Sequence, residues 1–189
     1  MKTGLTDRTS ESLQLNAGVF LTSYTKGGTI SSSNIIGATR GGGTFSAVPT
    51  IRQVPVDGAP TYVKGTEVID DWVVTLAVAN FIEFTEGALK NALGGGATST
   101  TNTGGDKIIT ASRTIAAADF KDIYWVGDTS AGDNIVIHLK NCLNLTGLVA
   151  TFNDRGEGTY PVTFTAHYAY DSSNANWAED APFEIILEA

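Results

Sequence analysis

Residues Ile35 to Asp57 read IIGATRGGGTFSAVPTIRQVPVD. The stretch opens like a strand at Ile35 and Ile36, breaks at Gly37, and passes Arg40 and three consecutive glycines. It resumes as an extended run from Thr44 to Val56. Phe45, Val48, Ile51, Val54 and Val56 are apolar, and Pro49 and Pro55 interrupt them. Proline removes a ladder donor, so this run suits an edge strand, a bulge or an arm better than a central strand. An apolar, glycine-hinged arm needs a surface to cover it, and a neighbouring subunit supplies one. An ordinary surface loop is the alternative reading.

The chain around this stretch is rich in β signals. Upstream, a polar lead over residues 1–12 gives way to Leu13, Leu15 and a short strand at Val19, Phe20 and Leu21, with a bend at Gly18. Downstream, DGAP at Asp57 to Pro60 and KG at Lys64 and Gly65 are turns. The strand from Glu67 to Phe81 alternates. Trp72, Val74, Leu76 and Val78 share one parity; Val73, Thr75, Ala77 and Ala79 share the other, so the larger side chains face a core. Thr85 is an N-cap type, and Ala88, Leu89, Ala92 and Leu93 form a helical stripe that Gly94 ends, which predicts one helix over residues 85–93. Residues 94–105, GGGATSTTNTGG, read as a flexible loop. Further strands are expected at residues 107–115, 121–126, 134–140, 148–152, 158–170 and 183–187, with a helical turn within residues 116–122. The expected fold is a single mainly β domain over residues 1–189, an antiparallel β-sandwich or barrel with one helix and long interaction loops.

Composition narrows the function. The chain has 189 residues and a net charge of -8, with a pI of about 4.6. This disfavours nucleic-acid binding, which needs clustered Lys and Arg. The 17% of charged residues is low and suits large protein contacts. The lone Cys142 gives no disulfide framework and is expected to pack as a small hydrophobe. The polar N-terminus lacks the apolar segment of a signal peptide, and no run is long enough for a membrane span, so a cytoplasmic site of synthesis is expected.

Catalytic patterns are weak. His138, His167 and Cys142 lack the close spacing of a zinc site, so no metal and no cofactor are expected. The glycines Gly41 to Gly43 lead into an extended run without the lysine of a phosphate loop. Asp70 and Asp71 are adjacent, so they point to opposite faces of a strand. No catalytic residue is assigned, and the chain is not expected to be an enzyme. Tyr124, Trp125, Tyr168, Tyr170 and Trp177 suggest a sugar-binding face, though core or interface is the preferred place for such residues.

The segments NIIGATRGGGTFSAVPTIRQVPVDG and KGTEVIDDWVVTLAVANFIEFTEGALKNAL resemble the front half of a bacteriophage tail tube (major tail) protein. DIYWVG, NIVIHLKNCLNLTGLVATFNDRGEGTYPVTFTAHYAYD and the closing PFEIILEA resemble the back half. The resemblance is one of strands and glycines and carries no catalytic string. It implies a virion structural protein that self-assembles into stacked, usually hexameric, rings around a conduit for DNA ejection. The implied location is the virion tail, assembled in the bacterial host cytoplasm. The implied partners are other copies of the chain, a tape measure inside, terminator and baseplate or tip proteins at the ends, and DNA in transit without specific binding. Contractile tails, non-contractile tails and tail-like bacteriocins all fit. By this resemblance Ile35, Ile36, Arg40, Phe45, Val48 and Ile51 of the arm, and Thr98 and Thr103 of the loop, lie at subunit contacts.

The strand from Gly158 to Tyr170 suggests the lumen wall. Its small, mostly polar parity includes Thr163, Thr165 and His167, and Thr75 and Ala77 offer a second candidate face. No Lys or Arg follows Arg155, while Glu157, Asp171, Glu179, Asp180, Glu184 and Glu188 do. A wall without cations does not retain phosphates by counterion release. The alternative function is a jelly-roll carbohydrate- or receptor-binding module.

Overall fold

The computed structural model describes residues 4–6, 8–174 and 176–188. Residues 1–3 and 7 of the polar lead, and residue 175 in the DSSNAN turn, lie outside the described residues. The fold is mainly β and antiparallel. Its strands are β1 (Val19–Leu21), β2 (Gly43–Gln53), β3 (Glu67–Phe81), β4 (Ala97–Thr101), β5 (Lys107–Ala111), β6 (Lys121–Asp128), β7 (Asn134–Asn144), β8 (Tyr160–Thr165) and β9 (Phe183–Leu187). One helix, α1 (Glu86–Ala92), follows β3, and a 3-10 turn at Ala117–Asp119 precedes β6.

Seven strands form one sheet in the order β1-β6-β7-β8-β3-β2, with β9 also paired to β7. The strand β7 is the joint. Its Ile135 to Leu139 segment lies between β6 and β9, whereas Leu143 and Asn144 pair with β8. Between these segments sits Asn141 at φ 50°, the one non-glycine residue with positive φ among the described residues. An irregularity of this kind bends a strand and lets its two segments take different partners. Phe20 of β1, Ile123 of β6 and Leu139 of β7 face Val74, Leu76 and Val78 of β3 and Val162 and Phe164 of β8 in one buried core. Among the described residues the strands do not close into a barrel, since β1 and β2 stand at opposite ends of the order.

The alternating strands behave as their side-chain period demands. In β3, Val74, Leu76 and Val78 are buried, while Val73 and Ala79 are exposed. In β8, Tyr160, Val162 and Phe164 are buried against Phe81 and Val78 of β3. The Tyr160 hydroxyl donates to the Glu83 carbonyl at 2.7 Å, and burial pushes its phenol pKa up to about 12. The helix also starts where its sequence dictates. The Thr85 side chain accepts from Ala88 N, and Ala88 and Ala92 are buried. Its far end is held by the buried Asn144, whose amide donates to Ala92 O at 2.5 Å and Gly147 O at 3.1 Å. The Asn144 carbonyl oxygen accepts from Thr146 N and Oγ1, so both N–H donors and both lone pairs of this buried side chain are used.

Three expectations are corrected. The stretch Ile35–Asp57 is not an uncovered arm. Ile36 is buried in the core, and residues 43–53 pair with β3 along their whole length. The segment at residues 94–105 is not a flexible loop. Residues 97–101 form β4, where Thr98, Ser99 and Thr100 pair with Thr110, Ile109 and Ile108 of β5, and Asn102 Oδ1 accepts from Asp106 N to close the turn. Residues 148–152 form no strand, only a bridge from Thr151 to Thr159.

Candidate functional site

Two faces that look independent in sequence are one surface. Thr75 pairs with Thr165 and Ala77 with Thr163, so all four project from the same side of the sheet. Strand β2 extends that side, with Ser46 opposite Thr75, Thr44 opposite Ala77 and Val48 opposite Val73. The result is a three-stranded wall of threonine, serine, alanine and valine without a charged side chain from Val73 to Ala79. Thr75, Ala77, Thr163 and Thr165 are half-buried. His167 does not join this wall. Strand β8 ends at Thr165, and the His167 ring packs edge-on against Phe120 at 5.1 Å.

The wall ends in an unpaired edge. Strand β2 pairs with β3 on one side, and no described strand pairs with its other side. It carries Val48 and Ile51, which are 56% and 58% exposed. Beyond the end of β8, β2 and β3 continue as a two-stranded ribbon, with Ile51 against Ile69 and Arg52 against Val68. Arg52 grips Asp70 across the ribbon at 2.9 Å. Val54, Val56, Tyr62, Val63, Val68 and Ile69 at this end are all exposed. The projecting apolar element is therefore the ribbon tip, further along the chain than the glycine hinge.

A second apolar edge lies along β9. Ile185, Ile186 and Leu187 of β9 are exposed, and among the described residues β9 pairs only with β7. Sequence reasoning located this strand but not its exposure; three consecutive apolar residues in PFEIILEA were the signal. The Phe183 ring of β9 lies 5.6 Å from Phe45 of β2 and 5.7 Å from Trp72 of β3. Polar pairs hold β9 from outside. Glu184 meets Lys140 at 2.5 Å and His138 at 3.4 Å, and His138 reaches Asp122 at 3.0 Å while stacking on Tyr124. Glu188 accepts from Tyr24 and Asn134. The Lys140 bond lowers the Glu184 pKa most, and the Asn134 bond that of Glu188.

The remaining sequence candidates are dispersed. Ile35 bridges to Leu21, and Arg40 is exposed with its guanidinium 2.9 Å from Glu157. Phe45 is half-buried against the core. Thr98 pairs with Thr110 and shares a 3.0 Å hydroxyl contact with it, and Thr103 sits exposed in the β4–β5 turn. Cys142 is buried, and burial drives its thiol pKa upward. Among the described residues no group of three or more His, Cys, Asp and Glu is placed to hold a metal ion. Neither a protein-family model nor a curated protein matches this sequence.

Proposed function

We propose that the chain is a self-assembling structural subunit of the phage tail tube kind, a two-layered β-sandwich whose copies form rings stacked around a DNA conduit. The observation that carries this reading is the long unpaired edge of β2, eleven residues with exposed apolar side chains, bordering a sheet face without charge. Exposed edges of this length are a liability in a monomer; the bulge at Thr50 and Ile51, Pro49 and Arg52 blunt one end of this edge, while Gly43 to Val48 stays regular and open. Pairing with another copy removes the liability. The outer side of β9 supplies a second apolar edge, so each copy has two distinct apolar edges and a head-to-tail contact between them can close a ring. The wall of Thr75, Ala77, Thr163 and Thr165 is then the candidate lumen lining, since it lacks the cations that would retain phosphates. Ribbon tips are the candidate contacts between neighbours.

Sedimentation velocity and negative-stain microscopy of the purified chain test the reading. Rings or tubes of uniform diameter are expected as concentration rises. A species that stays monomeric at all concentrations, in the presence and absence of crowding agents, refutes it.

A further inference from the structure

We propose that the cleft beside Phe120, His167 and Tyr170 binds a neutral pyranose sugar. The cleft has a volume of about 360 Å³ and is lined by Ala117, Phe120, Asn141, His167, Tyr168, Ala169 and Tyr170. This falls in the size range of small-ligand sites. None of these residues belongs to the threonine wall, so the cleft adds a binding function to the structural one.

The walls are fixed before any ligand arrives. Trp72 N donates to the Tyr168 hydroxyl at 3.2 Å, which anchors that ring. The Trp177 ring packs edge-on against Tyr168 at 6.4 Å and Tyr170 at 5.4 Å. Phe120 packs edge-on to His167. The residue that places the rim, Asn141, holds a left-handed backbone, a conformation that concentrates at ligand clamps. Asp122 Oδ1 accepts from its N–H at 2.9 Å and stabilises it. Tyr170 remains 75% exposed, presenting an aromatic face to solvent.

The polar groups select the ligand class. His167 Nδ1 donates to Asn141 O at 3.1 Å, so in the neutral ring Nε2 is left as an acceptor. The Asn141 amide nitrogen donates to His167 O at 3.4 Å, which leaves Oδ1 as a second acceptor without a partner among the described residues. No charged side chain lines the cleft, which disfavours phosphorylated and carboxylated ligands. A proline-rich peptide also fits aromatic grooves and could take donors from the Tyr168 and Tyr170 hydroxyls, but it has few donors of its own and would leave both acceptors unused. Sugar hydroxyls are donors, and the apolar face of a pyranose stacks on an aromatic ring. Acceptors beside a tyrosine face match the sugar.

Saturation-transfer NMR on the full chain tests the proposal with maltohexaose, cellohexaose and chitohexaose as neutral probes and a decaproline peptide as the competing class. Transfer to at least one oligosaccharide is expected, with weak affinity. Tyr170→Ala should weaken it by roughly tenfold, the scale of one aromatic contact, while Tyr62→Ala on the distant ribbon leaves it unchanged. His167→Phe, which keeps the ring but removes the acceptor, should weaken it as well. The proposal is overturned by no transfer to any oligosaccharide at about 10 mM, beyond the weakest useful affinity. It is equally overturned by transfer that survives Tyr170→Ala, or by binding of decaproline alone.

Discussion

Placing lysines at Val48 and Ile51 of β2 should separate folding from assembly. The two side chains are 56% and 58% exposed in the single chain, so the isolated subunit gains little from them. Substitutions at such positions ordinarily shift fold stability by no more than about 0.5 kcal/mol. Covering a Val or Ile completely is worth about 1.5–3 kcal/mol. Both side chains project on the wall face, so a strand paired to the edge covers only about half of what is exposed, roughly 0.5 kcal/mol apiece and about 1 kcal/mol for the pair. That corresponds to about a fivefold weaker contact between two copies. Lysine adds a desolvation cost, and it is the residue natural edge strands use against pairing. Sedimentation velocity over a concentration series reads the effect, with thermal melting as the control on folding. The double variant Val48→Lys, Ile51→Lys should melt like the parent and assemble only at severalfold higher concentration. A variant that melts like the parent and assembles at the parent's concentration refutes the role of the β2 edge.

Asn144→Ala should cost about 2–4 kcal/mol in urea unfolding, because it strands the carbonyls of Ala92 and Gly147 in a buried site; a loss under 1 kcal/mol contradicts the account of the helix anchor. Gly94→Ala should also destabilise, since φ is +78° and the new Cβ would sit 2.5 Å from Asn144 O; the left-handed backbone alone costs about 1–2 kcal/mol. Glu184 and Glu188 have lowered pKa values in the folded chain, so the folded state binds fewer protons than the unfolded one and stability rises with pH there. Their contribution is complete above the ordinary glutamate range and is lost as pH falls through their lowered values. Protection factors of the β9 amides, corrected for the intrinsic slowing of exchange in acid, should therefore fall on acidification below about pH 4.5, and a profile unchanged by Glu184→Gln with Glu188→Gln would contradict the polar clamp. In assembled tubes, Thr165→Lys should preserve the particle but slow DNA passage at low salt, with recovery as salt screens the new charges. Passage at the parental rate in low salt removes Thr165 from the conduit wall.

Local chemistry made part of this protein legible from its sequence. The alternation of Trp72 to Val78 and of Tyr160 to Phe164 follows the two-residue period of a strand, so buried and open faces were assigned without knowing any partner. Thr85 and Gly94 bounded α1 because capping involves only residues within a turn of the helix end. Pro49 placed β2 at an edge for the same kind of reason, the loss of one donor. Contacts between distant residues were not legible. Nothing near Ile36 distinguishes it from the exposed Ile35; its burial follows from Phe20 O accepting its N–H and from the core behind it. The glycines around β4 suggested a loop, yet pairing with β5 supplied the backbone hydrogen bonds that composition did not reveal. The union of Thr75 with Thr165 and of Ala77 with Thr163 spans about half the chain. Side-chain parity tells which residues share a face within one strand, but only the register between strands decides which faces become one surface.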